Sequence, residues 1–231
     1  MVWRTWIFLL GGSCFSPAAF AEAPLQGLLT LPEVFGELPC EVFEPKEIAL
    51  LSSPASAAHI GRIRVAQPWT QLGEGGCAGL RVDVVFDAGV VAELPQRELN
   101  YESPAVIVLE ARSPWFRVQL PAGSAWLMAS ARDQYFPLVA LLRDGLSYVA
   151  EPELIAWDHP GGSALPPGWP VGTPVRVRES QVVDDALWLR IEILSHSVCD
   201  AAERPKVLAQ AWVPAHAAYG KPNLWFYSRG C

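Results

Sequence analysis

Residues 115–120, Trp-Phe-Arg-Val-Gln-Leu, and residues 188–193, Trp-Leu-Arg-Ile-Glu-Ile, decide how this chain is interpreted, because both show one pattern. Apolar and polar residues alternate with a period of two, which is typical of a β-strand with one buried face. A weaker copy without the leading tryptophan follows Gly79, at 80–84, as Leu-Arg-Val-Asp-Val. We therefore interpret the chain as one β unit that has been used three times.

The surroundings of the three copies repeat as well. A shorter stretch of alternating residues precedes each copy, at 60–65, 105–111 and 174–180. A turn and an Ala-Trp-aliphatic run follow the second and third copies, and we expect Trp126 and Trp212 in these runs to lie in the core. The 21 prolines interrupt every window that is long enough for a stable helix. The predicted fold class is therefore all-β.

The order of strand, loop, Trp-Phe-Arg-Val-Gln-Leu, turn and Ala-Trp-Leu resembles the bacterial SH3-like domain family. Residues 212–219, Trp-Val-Pro-Ala-His-Ala-Ala-Tyr, are similar to the 3₁₀ turn and the tyrosine that close SH3 barrels. The resemblance covers 99–130 and 154–219 and, more weakly, 38–95. It implies tandem small five-stranded barrels, whose modest cores would benefit from disulfide staples.

The first 21 residues are typical of a signal peptide. Arg4 precedes an apolar run that is too short to span a bilayer, and Ala19-Phe20-Ala21 supplies the small residues that signal peptidase requires. Cleavage near Ala21 predicts a periplasmic or secreted protein, and we expect no transmembrane segment after it. The alternative is a lipoprotein acylated at Cys14, but Gly11 stands where a branched aliphatic residue is expected.

The repeats predict the organisation of the exported chain. Residues 22–96 form a degenerate SH3-like repeat, and residues 97–150 form a second repeat with a packed connector. Residues 151–231 form a third repeat that carries a long hairpin insertion and a C-terminal tail.

The connector at 135–149 is too apolar for a free linker. Leu138, Leu141 and Leu142 would line one face of a short helix, whereas Asp144-Gly145 is an equally good hairpin signal. In either form we expect the connector to pack between repeats and to hold them as one rigid body.

Four cysteines remain after cleavage: Cys40, Cys77, Cys199 and Cys231. An even number of cysteines in an exported chain predicts disulfide bonds. Of the three pairings we favour the local one, Cys40–Cys77 with Cys199–Cys231, which would tie down the hairpin insertion and the tail. The alternative is a zinc site, but the sequence lacks CxxC and HxxxH spacings.

Charge and motifs argue against several classes of function. The chain has 24 acidic and 17 basic residues, a net charge of −7, and no basic cluster that would bind nucleic acid. It has no GxSxG elbow, HExxH motif or phosphate-binding glycine loop, so we predict neither an enzyme nor a cofactor. The four histidines are separated in the sequence, and Asp158-His159 with His196 or His216 is the combination that would form a metal site if they converged.

The resemblance also implies where a ligand groove would lie. It places groove aromatics at Tyr101 and Trp115 on the second repeat and at Trp157, Trp188 and Tyr219 on the third. Exposed aromatic shelves suit proline-rich or extended peptides. The alternative is that these rings pack between repeats.

Each copy of the repeat also carries an arginine, at Arg81, Arg117 and Arg190. Strand alternation predicts that the three arginines lie on a solvated face of the sheet. The alternative is that they pair with acids on a neighbouring strand.

These observations favour a non-catalytic binding protein of the cell envelope that recognises a peptide, a peptidoglycan stem or a protein partner. The first alternative is a structural or accessory subunit of an envelope complex, in which the aromatic rings are buried against a partner. The second alternative is a cell-wall hydrolase, which would require a free cysteine as nucleophile.

Overall fold

A computed structural model describes residues 23–36, 44–56, 58–72, 76–101, 103–152, 154–166, 168–200 and 203–230. The predicted signal peptide, Cys40 and Cys231 lie outside these ranges, and only the backbone of Cys77 is described. Cys199 is disulfide-bonded. Because no other cysteine side chain is described, the two disulfide pairings stay predictions.

Short strands dominate the described part of the chain, which confirms the prediction of an all-β fold. The strands are β1 (Gly27–Leu29), β2 (Ile48–Leu51), β3 (His59–Gln67), β4 (Thr70–Leu72), β5 (Gly76–Ala78), β6 (Arg81–Phe86), β7 (Val91–Glu93), β8 (Gln96–Asn100), β9 (Ser103–Arg112), β10 (Trp115–Gln119), β11 (Ser124–Met128), β12 (Tyr135–Pro137), β13 (Ser147–Val149), β14 (Pro174–Val183), β15 (Ala186–Leu194), β16 (Val207–Pro214) and β17 (Leu224–Phe226). Two short helices, α1 (Pro32–Phe35) and α2 (Leu138–Asp144), and a 3₁₀ turn at Ala218–Gly220 complete the elements. No helix among the described residues is long and apolar enough to cross a membrane.

One order of five antiparallel strands occurs twice. The N-terminal unit has the order β12-β1-β9-β10-β11, and the C-terminal unit has the order β17-β13-β14-β15-β16. In chain order, both units place the fifth strand beside the first and then continue through the second, third and fourth. Among the described strands no ladder pairs β11 with β12 or β16 with β17, so both sheets are open rather than closed barrels.

A further group of strands lies between β1 and β9. We call β2, β3, β6 and β7 the inserted meander, and it joins the N-terminal unit where Leu51 of β2 pairs with Trp126 of β11. The ten-stranded sheet therefore takes strands from both predicted segments, 22–96 and 97–150. Strand β13, at the end of the second segment, belongs to the five-stranded sheet of the C-terminal unit. The domain boundaries themselves stay predictions.

Three hairpins have a β-bulge at the same position, beside the arginine of the repeated sequence pattern. In β9–β10 the register shifts beside Arg117 and Val118, in β14–β15 beside Arg190 and Ile191, and in β3–β6 beside Arg81 and Val82. In each case one residue of the preceding strand has no partner, which bends that strand and increases its twist.

The arginines beside these bulges make ion pairs. Arg117 pairs with Glu110 across β9–β10 at 3.2 Å, and Arg190 pairs with Glu179 across β14–β15 at 2.9 Å. In the inserted meander Arg81 instead contacts Asp83 of its own strand at 3.3 Å. Two of the three arginines therefore follow the alternative of cross-strand pairing.

Two hydrophobic clusters lie beneath the sheets. One cluster is shared by the N-terminal unit and the inserted meander, and the other is shared by the two five-stranded units. The connector forms α2 rather than a hairpin, and Leu138, Leu141 and Leu142 are buried in the second of these clusters. The connector therefore packs between the two five-stranded units.

The prediction that Trp126 and Trp212 are core residues is confirmed for Trp126, which is buried, and is wrong for Trp212. Their neighbours Ala125 and Ala211 belong to the hydrophobic clusters, and because side chains alternate along a strand, both tryptophans lie on the opposite face. Trp126 is only 7% exposed there, covered in part by the guanidinium of Arg112 at 5.5 Å from the ring. Trp212 is half-buried, so it is not a core residue.

Candidate functional site

The C-terminal unit carries a groove of about 680 Å³. Three of the five predicted aromatics, Trp157, Trp188 and Tyr219, line it together. The remaining lining residues are Glu151, Pro152, Ile155, Pro214, His216, Ala217, Lys221 and Asn223. The lining residues come from four places in the fold: the loop between β13 and β14, the strand β15, the last residue of β16, and the turn that joins β16 to β17.

Two tryptophans form one wall of the groove. Trp188 lies in β15 between Gln181 and Pro214 and is half-buried. The backbone of Trp157 exchanges two hydrogen bonds of 2.8 Å with Trp212 in β16, which attaches the loop to the edge of the sheet. The rings of Trp157 and Trp188 meet edge to face, with centroids 5.9 Å apart, a favourable geometry for aromatic pairs.

The loop that carries Trp157 is also tied internally. The Asp158 carboxylate accepts hydrogen bonds of 2.8 Å from the backbone N–H groups of His159 and Ser163. The bond from Ser163 is the main reason why the pKa of Asp158 lies below its usual range. These bonds stabilise the conformation of the loop beside the groove, because each gives a partner to a backbone N–H group that would otherwise bond to water.

Tyr219, in the 3₁₀ turn between β16 and β17, also lines the groove and has an unfavourable backbone conformation. Its φ of 62° and ψ of 22° are left-handed, a region that costs residues other than glycine about 1–2 kcal/mol. Its side chain is 73% exposed, so packing within the protein offsets little of this cost. Strained residues of this kind often lie at functional sites.

His216 and Asn223 supply polar atoms from partly or fully buried positions. The His216 Nε2 lies 2.6 Å from the Leu25 carbonyl oxygen. Because a carbonyl only accepts, Nε2 carries the proton, and Nδ1 of the neutral ring is an acceptor. Burial lowers the pKa of His216 and so favours this neutral form. Asn223 is 4% exposed and donates from Nδ2 to the Pro214 carbonyl oxygen at 2.9 Å.

Two opposite charges line the same groove. Among the described residues, Glu151 and Lys221 make neither a hydrogen bond nor an ion pair through their side chains. They are not within ion-pair distance of each other, so the groove presents both a free carboxylate and a free ammonium group.

The structure does not bring the other two predicted aromatics together. Tyr101 lies just before the first residue of β9, whereas Trp115 pairs with Arg112, which is the last residue of β9. The ten residues of β9 separate them by about 30 Å along the strand. Tyr101 lies instead against the C-terminal tail, with the guanidinium of Arg229 5.1 Å from its ring.

The histidines lie in separate surroundings. His59 contacts Asp87 at 3.0 Å, His159 contacts Asp158 at 2.8 Å, and His196 contacts Ser195 at 2.9 Å. Within the described part of the chain no three His, Cys, Asp or Glu side chains form a group that could hold a metal ion. The convergence of Asp158-His159 with His196 or His216 is therefore not found among these residues.

Sequence reasoning found the aromatic lining but missed Glu151, His216, Lys221 and Asn223. His216 lies inside the quoted stretch 212–219, and its role depends on a carbonyl at Leu25, 191 positions away. No local pattern in the sequence could have revealed this contact. Comparisons of the chain with protein-family models, with curated proteins and with solved structures gave no match.

Proposed function

We propose that the two five-stranded units are SH3-like domains and that the inserted meander is a third, incomplete copy. Three observations support this proposal. The strand order in which the fifth strand lies beside the first occurs in both units, the three hairpins share one bulge position, and a 3₁₀ turn precedes the last strand of the C-terminal unit.

We propose further that the protein is an exported, non-catalytic binding protein of the cell envelope. Its ligand is a peptide, a peptidoglycan stem or an extended segment of a protein partner. The observation that carries this proposal is the groove in which Trp157, Trp188 and Tyr219 converge. Aromatic rings provide much contact area and lose little conformational entropy on binding, so they are common at the centre of binding sites.

The test combines binding and stability measurements on the chain from Glu22 to Cys231. Trp188→Ala should weaken binding to purified peptidoglycan or to envelope peptides by about 2 kcal/mol if the ring is a hot spot. Its half-buried ring predicts a much smaller loss of stability in urea than a core tryptophan, for which about 3–5 kcal/mol is usual. A Trp188→Ala variant that unfolds, while any folded fraction binds as before, would contradict the proposal.

Two tyrosines offer a matched control. Tyr219 lines the groove and is 73% exposed, whereas Tyr227 is 42% exposed outside it, against Tyr148. Tyr219→Ala should reduce binding, and Tyr227→Ala should leave it unchanged. Equal losses in both variants would point to a general effect of exposed rings rather than to this groove.

A structural or accessory subunit is the second candidate, and one observation favours it. Leu208 at the edge strand β16 is 65% exposed and Val182 near the tip of the β14–β15 hairpin is 68% exposed, which are apolar surfaces that a partner protein could cover. This function predicts a stable complex that survives Tyr219→Ala but is lost on Leu208→Glu. Size-exclusion chromatography of envelope extracts, with each variant tagged, would separate the two candidates.

A further inference from the structure

The charges of the groove define its ligand more closely than the aromatic rings do. The Glu151 carboxylate is a hydrogen-bond acceptor, and it lines the same cavity as the indole rings of Trp157 and Trp188. Carboxylates attract ammonium groups, and so do the faces of aromatic rings, whose π electrons carry negative partial charge. This combination favours a cationic group of the ligand.

Two neutral acceptors add to this preference. In the neutral ring of His216 the proton is on Nε2, which donates to the Leu25 carbonyl oxygen, and Nδ1 is an acceptor. The Oδ1 of Asn223 receives no hydrogen bond from the described residues, whereas Nδ2 of the same amide is used by Pro214. A primary ammonium group brings three donors and can use such acceptors together with a carboxylate.

Lys221 favours a ligand that also carries a negative charge. It is exposed, lines the groove, and has no ion-pair partner among the described residues. A ligand that carried only positive charge would be repelled by it, whereas a carboxylate would pair with it. Because Glu151 and Lys221 do not neutralise each other, a ligand with both charges can satisfy both.

We infer that the groove binds a zwitterionic peptide group, with a primary ammonium on the Glu151 side and a carboxylate on the Lys221 side. The inference rests on the proposed function, since it names the ligand class of the same groove. It applies to the free ends of a short peptide and equally to a branched residue that carries both charges.

Four forms of one tripeptide, one with free ends and three with blocked ends, test the two charges separately. The probes are Ala-Ala-Ala with free ends, the same peptide acetylated at its N-terminus, the same peptide amidated at its C-terminus, and the peptide with both blocks. Binding is followed by the indole N–H resonances of Trp157 and Trp188 in the ¹⁵N-labelled chain. We expect the free peptide to bind most tightly, with a loss of about fivefold on acetylation and about threefold on amidation.

Charge variants then assign each effect to a residue. In Glu151→Gln acetylation should no longer weaken binding, and in Lys221→Gln amidation should no longer do so. Glu93→Gln, a neutralisation at the exposed strand β7 of the inserted meander, should change neither effect.

The outcomes separate this inference from the proposed function. Equal binding of all four probes, lost in Trp188→Ala, would overturn the zwitterion inference and leave the proposed peptide groove intact. Failure of every probe to shift either indole resonance would also overturn the inference, and larger peptidoglycan fragments, tested in the same way, would then decide the proposed function. Acetylation and amidation effects that persist in both charge variants would assign the preference to other residues and contradict the inference.

Discussion

The two five-stranded units differ most in the connection between their first and second strands. In the C-terminal unit this connection runs from Val149 to Pro174 and carries Trp157 to the ring of Trp188. In the N-terminal unit the same place, between Leu29 and Ser103, holds α1, the inserted meander and β8. Trp115 matches Trp188 in register, yet it has no aromatic ring contact among the described residues. The strand framework is therefore shared, and the connection decides whether a second aromatic ring reaches the tryptophan that leads the third strand.

The largest expected effect tests whether the two units are one cooperative body. Leu142 of α2 is fully buried in the cluster to which both units contribute. Leu142→Ala should lower the free energy of unfolding by about 2–5 kcal/mol and should keep a single transition in urea. Two separate transitions, with only one of them shifted, would show that the units unfold independently.

The second prediction is a smaller loss of stability, and it compares the equivalent tryptophans in the fourth strand of each unit. Trp126, beside the inserted meander, is 7% exposed, whereas Trp212 is half-buried. We expect Trp126→Ala to cost about 3 kcal/mol of stability and Trp212→Ala roughly half of that, because water already reaches the second ring. Equal costs in urea unfolding would mean that the meander does not protect its strand edge.

The third prediction has opposite signs for stability and binding. Tyr219→Gly removes a side chain from left-handed backbone and should raise stability by up to about 1 kcal/mol. It should also weaken binding of groove ligands, because the exposed ring is lost. A loss of stability in thermal unfolding would show that the ring packs within the protein and would argue against its role in the groove.

The smallest expected effect is a pH dependence from His216, which connects the C-terminal unit to Leu25 at the start of the N-terminal unit. Burial lowers its pKa in the folded protein, so near and below the ordinary value of about 6.5 the unfolded chain binds more protons. The stabilising contribution is therefore fully present above that pH and is lost as the pH falls. His216→Gln should show less change in unfolding free energy between pH 7.5 and 5.5 than the unaltered chain. A slope that is unchanged by the substitution would contradict this assignment.

The sequence predicted features that depend on local patterns. The period-two alternation at 115–120 and 188–193 predicted two strands, and the structure has β10 and β15 there. The leucines of α2 were recognised because helical spacing puts them on one face.

Features that depend on contacts between distant residues were not predictable in this way. No local pattern indicated that the inserted meander pairs with β11, because one residue pair, Leu51 with Trp126, makes that connection. The resemblance to SH3-like domains implied that Tyr101 lies in a groove with Trp115, but β9 is long enough to carry Trp115 away from it. Alternation shows that every second residue of a strand faces inward, but it does not show which set does. In the fourth strands the small alanines Ala125 and Ala211 face the hydrophobic clusters, and Trp126 and Trp212 face the other way.

The insertion between β1 and β9 also has a consequence for the order of folding. Pairing Leu29 with Val106 closes a loop roughly three times as long as the loop between Ser147 and Val175, which adds about 1 kcal/mol of entropic cost. The strands of the C-terminal unit can therefore find one another early, from a contiguous segment. When the whole chain refolds, strand β1 pairs on both sides only after β9 and β12, which lie beyond the insertion, have come beside it. The first strand of the N-terminal unit is thus expected to reach its native pairing later than the strands of the C-terminal unit.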